Sequence, residues 1–315
     1  MRRPAFIASI LVLLSACDKK VDEAPPAPTV TISDSAMVLF QVYGNRDTLR
    51  AAPLAIVEGR HLGPIQLDAA GWRAFDQTFF AKGRSFSIYR HGIDAGTVEV
   101  VRGMWPSDDV TLYSLAGCKD LLPQGLLTLH AKGPTEPSLE FIASSRPLGQ
   151  GTDQKPLPTD AVARARGFVD SIARAGGMGG EELGHLEFIG RWLRTGAGPQ
   201  GRTLLGSYID PEAGDAGPGA GHSSMVMVLA EDSARRLIAS YTHAVSGEAR
   251  TVEFQRLVNH ADFDGDGVDE LVMEVWKYGG VPEFSVLKRA GGRWAQAFRV
   301  SQNWCLDPPA EKSGR

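Results

Sequence analysis

An acidic segment near the C-terminus has residue types and spacing that suit metal binding. The sequence DFDGDGVDE, residues 262–270, places five carboxylates within nine positions and separates them with Gly265 and Gly267. Carboxylates held this close repel one another, and a hard divalent cation relieves the repulsion by taking them as oxygen ligands. Glycine permits the backbone angles with which a loop wraps around an ion. The segment is therefore predicted to be a calcium-binding loop.

The residues around the loop distinguish two kinds of calcium site. An EF-hand loop that starts at Asp262 needs a glutamate at its twelfth position, where this chain has Met273, and it needs a helix on each side. The segment from Glu270 to Tyr278 has the composition of a strand instead. The pattern D-x-D-G-D-G-x-x-[DE] resembles the calcium-binding turns of FG-GAP repeats, which occur in integrin-type propellers.

That resemblance implies a set of ligands and a role for the ion. The groups it assigns to calcium are the side chains of Asp262, Asp264, Asp266 and Glu270 and the main-chain oxygen of Val268. Asp269 is one step out of register and would face solvent. The motif occurs once and no internal repeat is visible, so a complete propeller is not expected. Because the ion would hold the start of the following strand, we expect its role to be structural; an acidic turn without an ion is the alternative.

No familiar catalytic motif accompanies the acidic loop. The sequence GHSSM, residues 221–225, lacks the G-x-S-x-G elbow of serine hydrolases, and the histidines lack the spacing of zinc hydrolases. The glycine-rich segment GPGAGH, residues 217–222, lacks the strand–turn–helix setting of a dinucleotide loop. We therefore expect a binding or structural module without catalysis. The alternative is an enzyme, such as a hydrolase, whose site is assembled from loops distant in the sequence.

The N-terminus has the features of an export signal. Arg2 and Arg3 precede an apolar stretch, residues 5–14, that is too short to span a bilayer permanently. The LSAC sequence that ends at Cys17 resembles the lipobox of bacterial lipoproteins, in which cleavage precedes the cysteine and the cysteine then carries lipid. This implies a signal peptide over residues 1–16 and a membrane anchor at Cys17 in the bacterial cell envelope, facing the periplasm or the exterior. A plain secretory signal with an incidental cysteine is the alternative.

The predicted location in the cell envelope affects how the other two cysteines are interpreted. Residues 17–36 are charged and proline-rich, which is typical of a tether between an anchor and a folded part. Apart from Cys17, the chain has only Cys118 and Cys305. An even pair in an oxidising compartment is predicted to form a disulfide, which would join the first half to the C-terminal tail. Two buried free thiols are the alternative.

Short strands dominate the pattern between the tether and the tail. Residues 37–148 predict a β-rich N-terminal domain, in which residues 91–96 form a hairpin loop and residues 69–80 form a short helix or an apolar loop. Residues 149–158 have the composition of a linker. Residues 159–304 predict an amphipathic helix followed by an antiparallel meander, as in a sandwich, a barrel or a partial propeller, and residues 305–315 are a tail. The predicted fold class is mainly β with one or two helices.

Charge restricts the class of partner. The formal net charge is −4, and no run of lysine or arginine occurs outside the first residues, so nucleic-acid binding is not expected. The membrane is the expected partner through the lipid anchor. An envelope protein or a glycan is the other class of partner we consider, since some of the six tryptophans could form a sugar platform rather than pack in the core.

Overall fold

The structure is a computed structural model of the 315-residue chain. It describes residues 32–33, 35–104, 122–133, 139–149, 155–156, 159–209, 222–233, 236–280 and 282–301. Cys17, Cys118 and Cys305 lie outside these ranges, as do the residues of the predicted signal peptide, so the signal peptide, the lipidation and the disulfide stay predictions. Among the described residues, none of the helices combines the length and apolar character needed to cross a membrane.

Six antiparallel strands of the first half close into a barrel. Their spatial order is β1-β7-β4-β5-β6-β2, and β1 pairs with β2 to complete the ring, while β3 extends the sheet from β2. The strands are β1 (Met37–Gly44), β2 (Arg50–Glu58), β3 (His61–Gly63), β4 (Ser85–Arg90), β5 (Ile93–Gly103), β6 (Gly125–Ala131) and β7 (Leu139–Ser144). The barrel is therefore formed by residues far apart in the chain, since β7 lies between β1 and β4.

The side chains of β1 point alternately to the two faces of the strand, so that the strand contributes to two hydrophobic cores. Val38, Phe40 and Val42 point into the barrel, whereas Leu39 points outward into a second core. The segment that the sequence left open between helix and loop is a helix, α1 (Ala69–Phe79), and the Asp68 side chain caps it by accepting a 2.6 Å hydrogen bond from the Gly71 N–H. Aromatic residues of α1 pack around Phe40 in the barrel core.

The hairpin between β4 and β5 turns more tightly than expected. The turn consists of His91 and Gly92 rather than of residues 91–96, and both have positive φ angles of 54° and 78°. Positive φ angles at both central residues of a two-residue hairpin turn match the twist of the strands that the turn joins. The remaining residues of the expected loop belong to β5, and the pairing of Ile88 and Tyr89 with β5 contains an irregularity that absorbs an extra residue.

The second half begins with a five-stranded antiparallel sheet of order β12-β11-β10-β9-β8. Two helices cover one of its faces, where Ala165, Val169 and Ala173 of the first helix are buried. The elements are β8 (Lys155–Pro156), α2 (Thr159–Ala175), α3 (Gly180–His185), β9 (Glu187–Leu193), β10 (Thr203–Ile209), β11 (His222–Ser233) and β12 (Arg236–Glu248). The amphipathic helix expected after residue 158 is α2, and its apolar stripe is the face that packs on the sheet.

A four-stranded antiparallel sheet completes the chain, with its strands in sequence order. One face packs Leu271, Met273 and Val275 against the five-stranded sheet, and the other face packs Val272 into the core that it shares with the outside of the barrel. The strands are β13 (Glu253–Ala261), β14 (Glu270–Lys277), β15 (Glu283–Ala290) and β16 (Arg293–Ser301). The acidic segment is the turn between β13 and β14, at the edge of this central layer.

The prediction of a mainly β fold with antiparallel sheets is confirmed. Strand β2 was missed, because Pro53 and its alanines have little strand propensity. Pro53 lies where the pairing of β1 with β2 shifts register, and an irregularity of this kind tolerates a residue that cannot donate a ladder hydrogen bond. The domain boundary at residues 149–158 stays a prediction; β8 lies within that range and pairs with β9.

Candidate functional site

The acidic turn brings three of the predicted ligands together. Carboxylate oxygens of Asp262, Asp264 and Glu270 lie within 4.8 Å of one another. Calcium takes oxygen ligands at about 2.4 Å, so two ligands in one shell can be at most about 4.8 Å apart. The three carboxylates therefore fit one coordination shell. Asp266 is outside this group of three, and the main-chain oxygen of Val268 stays a predicted ligand.

Backbone hydrogen bonds inside the turn point these carboxylates inward. The Asp266 N–H donates to Asp262 Oδ1 at 3.0 Å and to Asp264 Oδ1 at 3.2 Å, and the Gly267 N–H donates to Asp262 Oδ2 at 3.0 Å. At the other end, Glu270 Oε2 accepts a 2.9 Å hydrogen bond from the Phe263 N–H. The turn thus supplies its own N–H donors to the carboxylates, which lowers the repulsion between them.

A lysine from the neighbouring strand supplies a positive charge to the cluster. Lys288 on β15 pairs with Asp264, and its Nζ lies 3.2 Å from Asp266 Oδ2 and 3.3 Å from Glu270 Oε1. The side chains of Asp264 and Glu270 are 0% and 1% exposed, so an uncompensated charge there would be costly. Lys288 is therefore a built-in counter-ion of these two buried carboxylates.

The pKa values of Glu270 and Lys288 reflect the same balance between burial and neighbouring charge. Burial raises the pKa of Glu270 to about 7, and the charge of Asp264 adds to the increase, although the Phe263 N–H and Lys288 oppose it. Burial alone would lower the pKa of Lys288, but its hydrogen bond to Asp264 and the charge of Glu270 raise it above its ordinary value. The fold therefore favours a charged lysine beside a glutamate that binds a proton readily.

The expectation that Asp269 faces solvent was wrong. Asp269 Oδ2 lies 2.6 Å from Nδ1 of His260, whose side chain is fully buried, and the Asp269 N–H donates to the Thr195 carbonyl at 2.8 Å. The strand register indeed separates Asp269 from its neighbour Glu270. However, the connection between β9 and β10 covers the turn at this point, and that contact cannot be read from the local sequence.

The turn also fits closely against the same connection through its backbone. A Cβ atom placed on Gly196 would lie 2.2 Å from the Gly267 carbonyl oxygen, which is closer than any non-bonded contact allows. On the other side of β13, Asn259 ties the barrel hairpin to the sheet: its Oδ1 accepts from the Gly92 N–H at 3.1 Å, and its Nδ2 donates to the Tyr89 carbonyl at 2.7 Å. The acidic turn and its strand therefore contact all three sheets.

Comparisons with known proteins add no family to this description. No family model, curated protein or solved structure matches the chain. The calcium interpretation therefore depends on the side chains of the turn itself, and the resemblance to FG-GAP turns stays a prediction.

A second polar cluster forms around the GHSSM segment that the sequence did not favour as a catalytic site. Glu182 Oε1 accepts hydrogen bonds from Ser224 and, at 2.6 Å, from Ser246, while His222 Nε2 lies 2.7 Å from Ser246 Oγ and 3.3 Å from Glu182 Oε1. Hydrogen bonds from Ser224 and Ser246 lower the pKa of Glu182 to about 2. No spacing rule finds this group, since its members come from α3, β11 and β12.

The geometry of this second cluster differs from that of a catalytic triad. A triad needs the hydroxyl on one ring nitrogen of histidine and the carboxylate on the other. Here Ser246 and Glu182 both approach Nε2 of His222. The arrangement holds an ionised carboxylate with hydroxyl groups, and it does not orient the histidine as a base for serine.

Proposed function

We propose that this chain is a lipid-anchored bacterial envelope protein whose folded part is a calcium-stabilised binding or structural module. The observation that supports the calcium site is the convergence of Asp262, Asp264 and Glu270 in a turn that, together with strand β13, contacts all three sheets. An ion at this position stabilises the folded state because the unfolded chain cannot hold three carboxylates together. No step of a reaction is assigned to the site.

The ion would be held by the residues that the turn already orients. Asp262, Asp264 and Glu270 would supply carboxylate oxygens, and Asp266 and the Val268 carbonyl would complete the shell after small movements of the turn. Calcium bound there would neutralise the carboxylates, and Lys288 would withdraw from them. The ion would thus strengthen the edge of the central sheet where the β9–β10 connection covers it.

The anchor is the second component of the proposal. Cys17 would carry the lipid, and residues 18–36 would separate the membrane from the barrel. Replacing the cysteine, Cys17→Ser, should move the protein from the membrane fraction to the soluble fraction. Retention of Cys17→Ser on membranes would show that the LSAC sequence is not the anchor, and it would leave the calcium proposal unaffected.

Thermal unfolding with calcium and with chelator tests the calcium site. When free calcium is a hundred times the dissociation constant, the folded wild type should gain about 2.7 kcal/mol. Asp264→Ala should lose most of this gain. Asp269→Ala is the matched control from the same turn: it should be less stable with or without calcium, because His260 loses its partner, but it should keep the gain.

Two results would contradict this assignment. If calcium does not change the unfolding temperature of the wild type, the turn is an acidic turn without an ion. If Asp264→Ala and Asp269→Ala lose the same part of the gain, calcium responds to the general charge density of the turn rather than to an ordered shell of ligands.

A further inference from the structure

A cavity of about 370 Å³ lies where the barrel meets the two sheets of the second half. Its floor is the face of the five-stranded sheet that is not covered by helices, and its walls come from β13, β7 and the hairpin turn between β4 and β5. Cavities of about 300 to 1,000 Å³ at the junction of structural units are typical of small-molecule sites. This cavity is separate from the acidic turn and shares no residue with it.

The charges around the cavity are mainly positive. Three arginines and one glutamate line it, namely Arg90, Arg191, Arg256 and Glu140. Arg256 is compensated, because it makes two hydrogen bonds of 2.7 and 2.8 Å to Glu140 and also pairs with Glu274 on β14. Arg191 makes no ion pair within the part of the chain that the structure describes. An anion in the cavity would therefore meet an uncompensated guanidinium at Arg191.

His91 adds a polar group at the edge of the same cavity. Its Nδ1 is buried and has no hydrogen-bond partner among the described residues, which is a costly state for a buried polar atom. Burial, together with the charges of Arg90 and Arg191, lowers the pKa of His91 to about 4, so the ring is neutral at neutral pH. The neutral His91 ring therefore adds no charge to the cavity, and the charge that would attract an anion is that of Arg191.

The conformation of His91 is held in place by the fold. It is the one residue other than glycine with a positive φ angle in the described ranges, and strained backbone of this kind persists only where neighbouring contacts maintain it. The Asn259 side chain fixes the next residue, Gly92, and a Cβ atom on Gly92 would lie 3.0 Å from the His260 ring. The hairpin turn therefore presents His91 in a fixed position.

The floor of the cavity is apolar apart from one hydroxyl. Alternation along β10 turns Leu205, Ser207 and Ile209 towards the cavity, and Ile189 of β9 and Met227 of β11 lie on the same face, since both pair directly with Ser207. Cationic groups on one side of an apolar floor complement a molecule with an anionic group and an apolar body. A strongly hydrated ion such as free phosphate would leave this floor unused.

We propose that this cavity binds a small organic anion, whose charged group pairs with Arg191 and whose apolar body lies on Ile189 and Ile209, the partly exposed apolar residues of the floor. The occupant is a carboxylate or sulfonate with a short aliphatic or aromatic part. This inference goes beyond the calcium-stabilised module and does not depend on it, because the residues of the cavity would be present with or without an ion in the acidic turn.

Calorimetric titration of the purified full-length protein with 2-naphthoate tests the proposal. The matched uncharged probe is 2-naphthamide, which has nearly the same shape. Since the hydrogen bond of Arg191 to a charged carboxylate is stronger than its hydrogen bond to a neutral amide oxygen, 2-naphthoate should bind about tenfold more tightly than 2-naphthamide. Arg191→Met should remove that preference, whereas Arg194→Met, an exposed arginine next to the same strand, should keep it.

A second variant tests the cavity without removing a charge. Ile189→Trp should fill the floor and weaken both probes, while its unfolding temperature stays close to that of the wild type because Ile189 is only partly buried. Equal affinity for the two probes, equal affinity in the two arginine variants, or undetectable binding of 2-naphthoate to the wild type would each overturn the proposal. Repeating the titration with chelator should give the same affinities, so failure here and failure of the calcium site are distinguishable.

Discussion

The acidic turn and the basic cavity are connected through Asn259 and His260, and they concentrate charges of opposite sign. His260 pairs with Asp269 of the turn, and Asn259 fixes the hairpin that presents His91 to the cavity. The turn collects its carboxylates from nine consecutive residues, whereas the cavity collects its arginines from β4, β9 and β13. Charged groups of one sign can therefore be brought together from one short segment or from three distant ones.

The two regions also differ in how their charges are balanced. The buried carboxylates of the turn have a counter-ion in the fold, because Lys288 reaches Asp264 and Glu270. In the cavity, Arg256 is balanced by Glu140, but Arg191 has no such partner among the described residues. The turn can thus fold before an ion binds, and the cavity keeps an attraction for an anion from outside.

The largest expected effect comes from separating the turn from the connection that covers it. Gly196→Ala would place a Cβ atom 2.2 Å from the Gly267 carbonyl oxygen, and the backbone would have to move. Gly196 also has a φ angle of +71°, which an L side chain adopts with difficulty. We expect a loss of about 3 to 5 kcal/mol in the free energy of unfolding, measured by urea denaturation.

Gly265→Ala is the control for this variant. Gly265 has nearly the same φ angle, +72°, but no heavy atom lies within 4 Å of its added Cβ atom. It should lose only about 1 to 2 kcal/mol, which is the cost of the backbone angle alone. Similar losses in the two variants would show that the turn does not pack closely on residues 195–201.

A smaller effect is expected when the built-in counter-ion of the turn is removed. Lys288→Met keeps the length of the side chain and deletes its charge, so calcium would no longer compete with an ammonium group for the carboxylates. Calcium affinity should rise about tenfold, while stability in chelator should fall because two buried carboxylates lose their partner. Calcium titration and thermal unfolding with chelator measure the two effects.

The matched variant is Lys277→Met, at an exposed position on β14. It removes the same charge from the protein but not from the cluster, and its calcium affinity should stay within about twofold of the wild type. If both variants change calcium affinity equally, Lys288 acts only through the net charge and is not a competitor for the site.

The smallest expected effect concerns Asp76, a half-buried carboxylate that has no counter-ion among the described residues. Burial raises the pKa of Asp76 to about 6, and its Oδ1 has no hydrogen-bond partner among the described residues. The fold therefore favours the protonated form: Asp76 stabilises the fold at pH values below about 4, and this contribution is lost as the pH rises through about 6. Asp76→Asn should raise stability at pH 8 by about 1 kcal/mol and leave it unchanged at pH 4.

Urea denaturation at the two pH values makes this measurement. Asp47→Asn, at an exposed position, is the control and should change stability at neither pH. An equal stability of Asp76→Asn and the wild type at pH 8 would mean that the Asp76 carboxylate is solvated, and that the contrast with the neutralised carboxylates beside Lys288 does not hold.

Local patterns in the sequence determined the elements whose stability depends on near neighbours. The strand β14, the apolar stripe of α2 and the convergence of Asp262, Asp264 and Glu270 could all be anticipated, because each involves residues within one or two turns or one strand. The apolar periods of 2 and 3.6 residues and the steric freedom of glycine act over this short range.

Only the tertiary structure decided the features that join distant segments. Closure of the barrel between β1 and β2, the pairing of Asp269 with His260, and the meeting of Arg90, Arg191 and His91 in one cavity depend on which sheet faces which. Such contacts are chosen by the packing of whole faces, to which each residue contributes a small part. Asp269 does lie one residue out of register with Glu270, as the sequence predicted. However, the side of the turn on which Asp269 lies is covered by residues some seventy positions earlier in the chain.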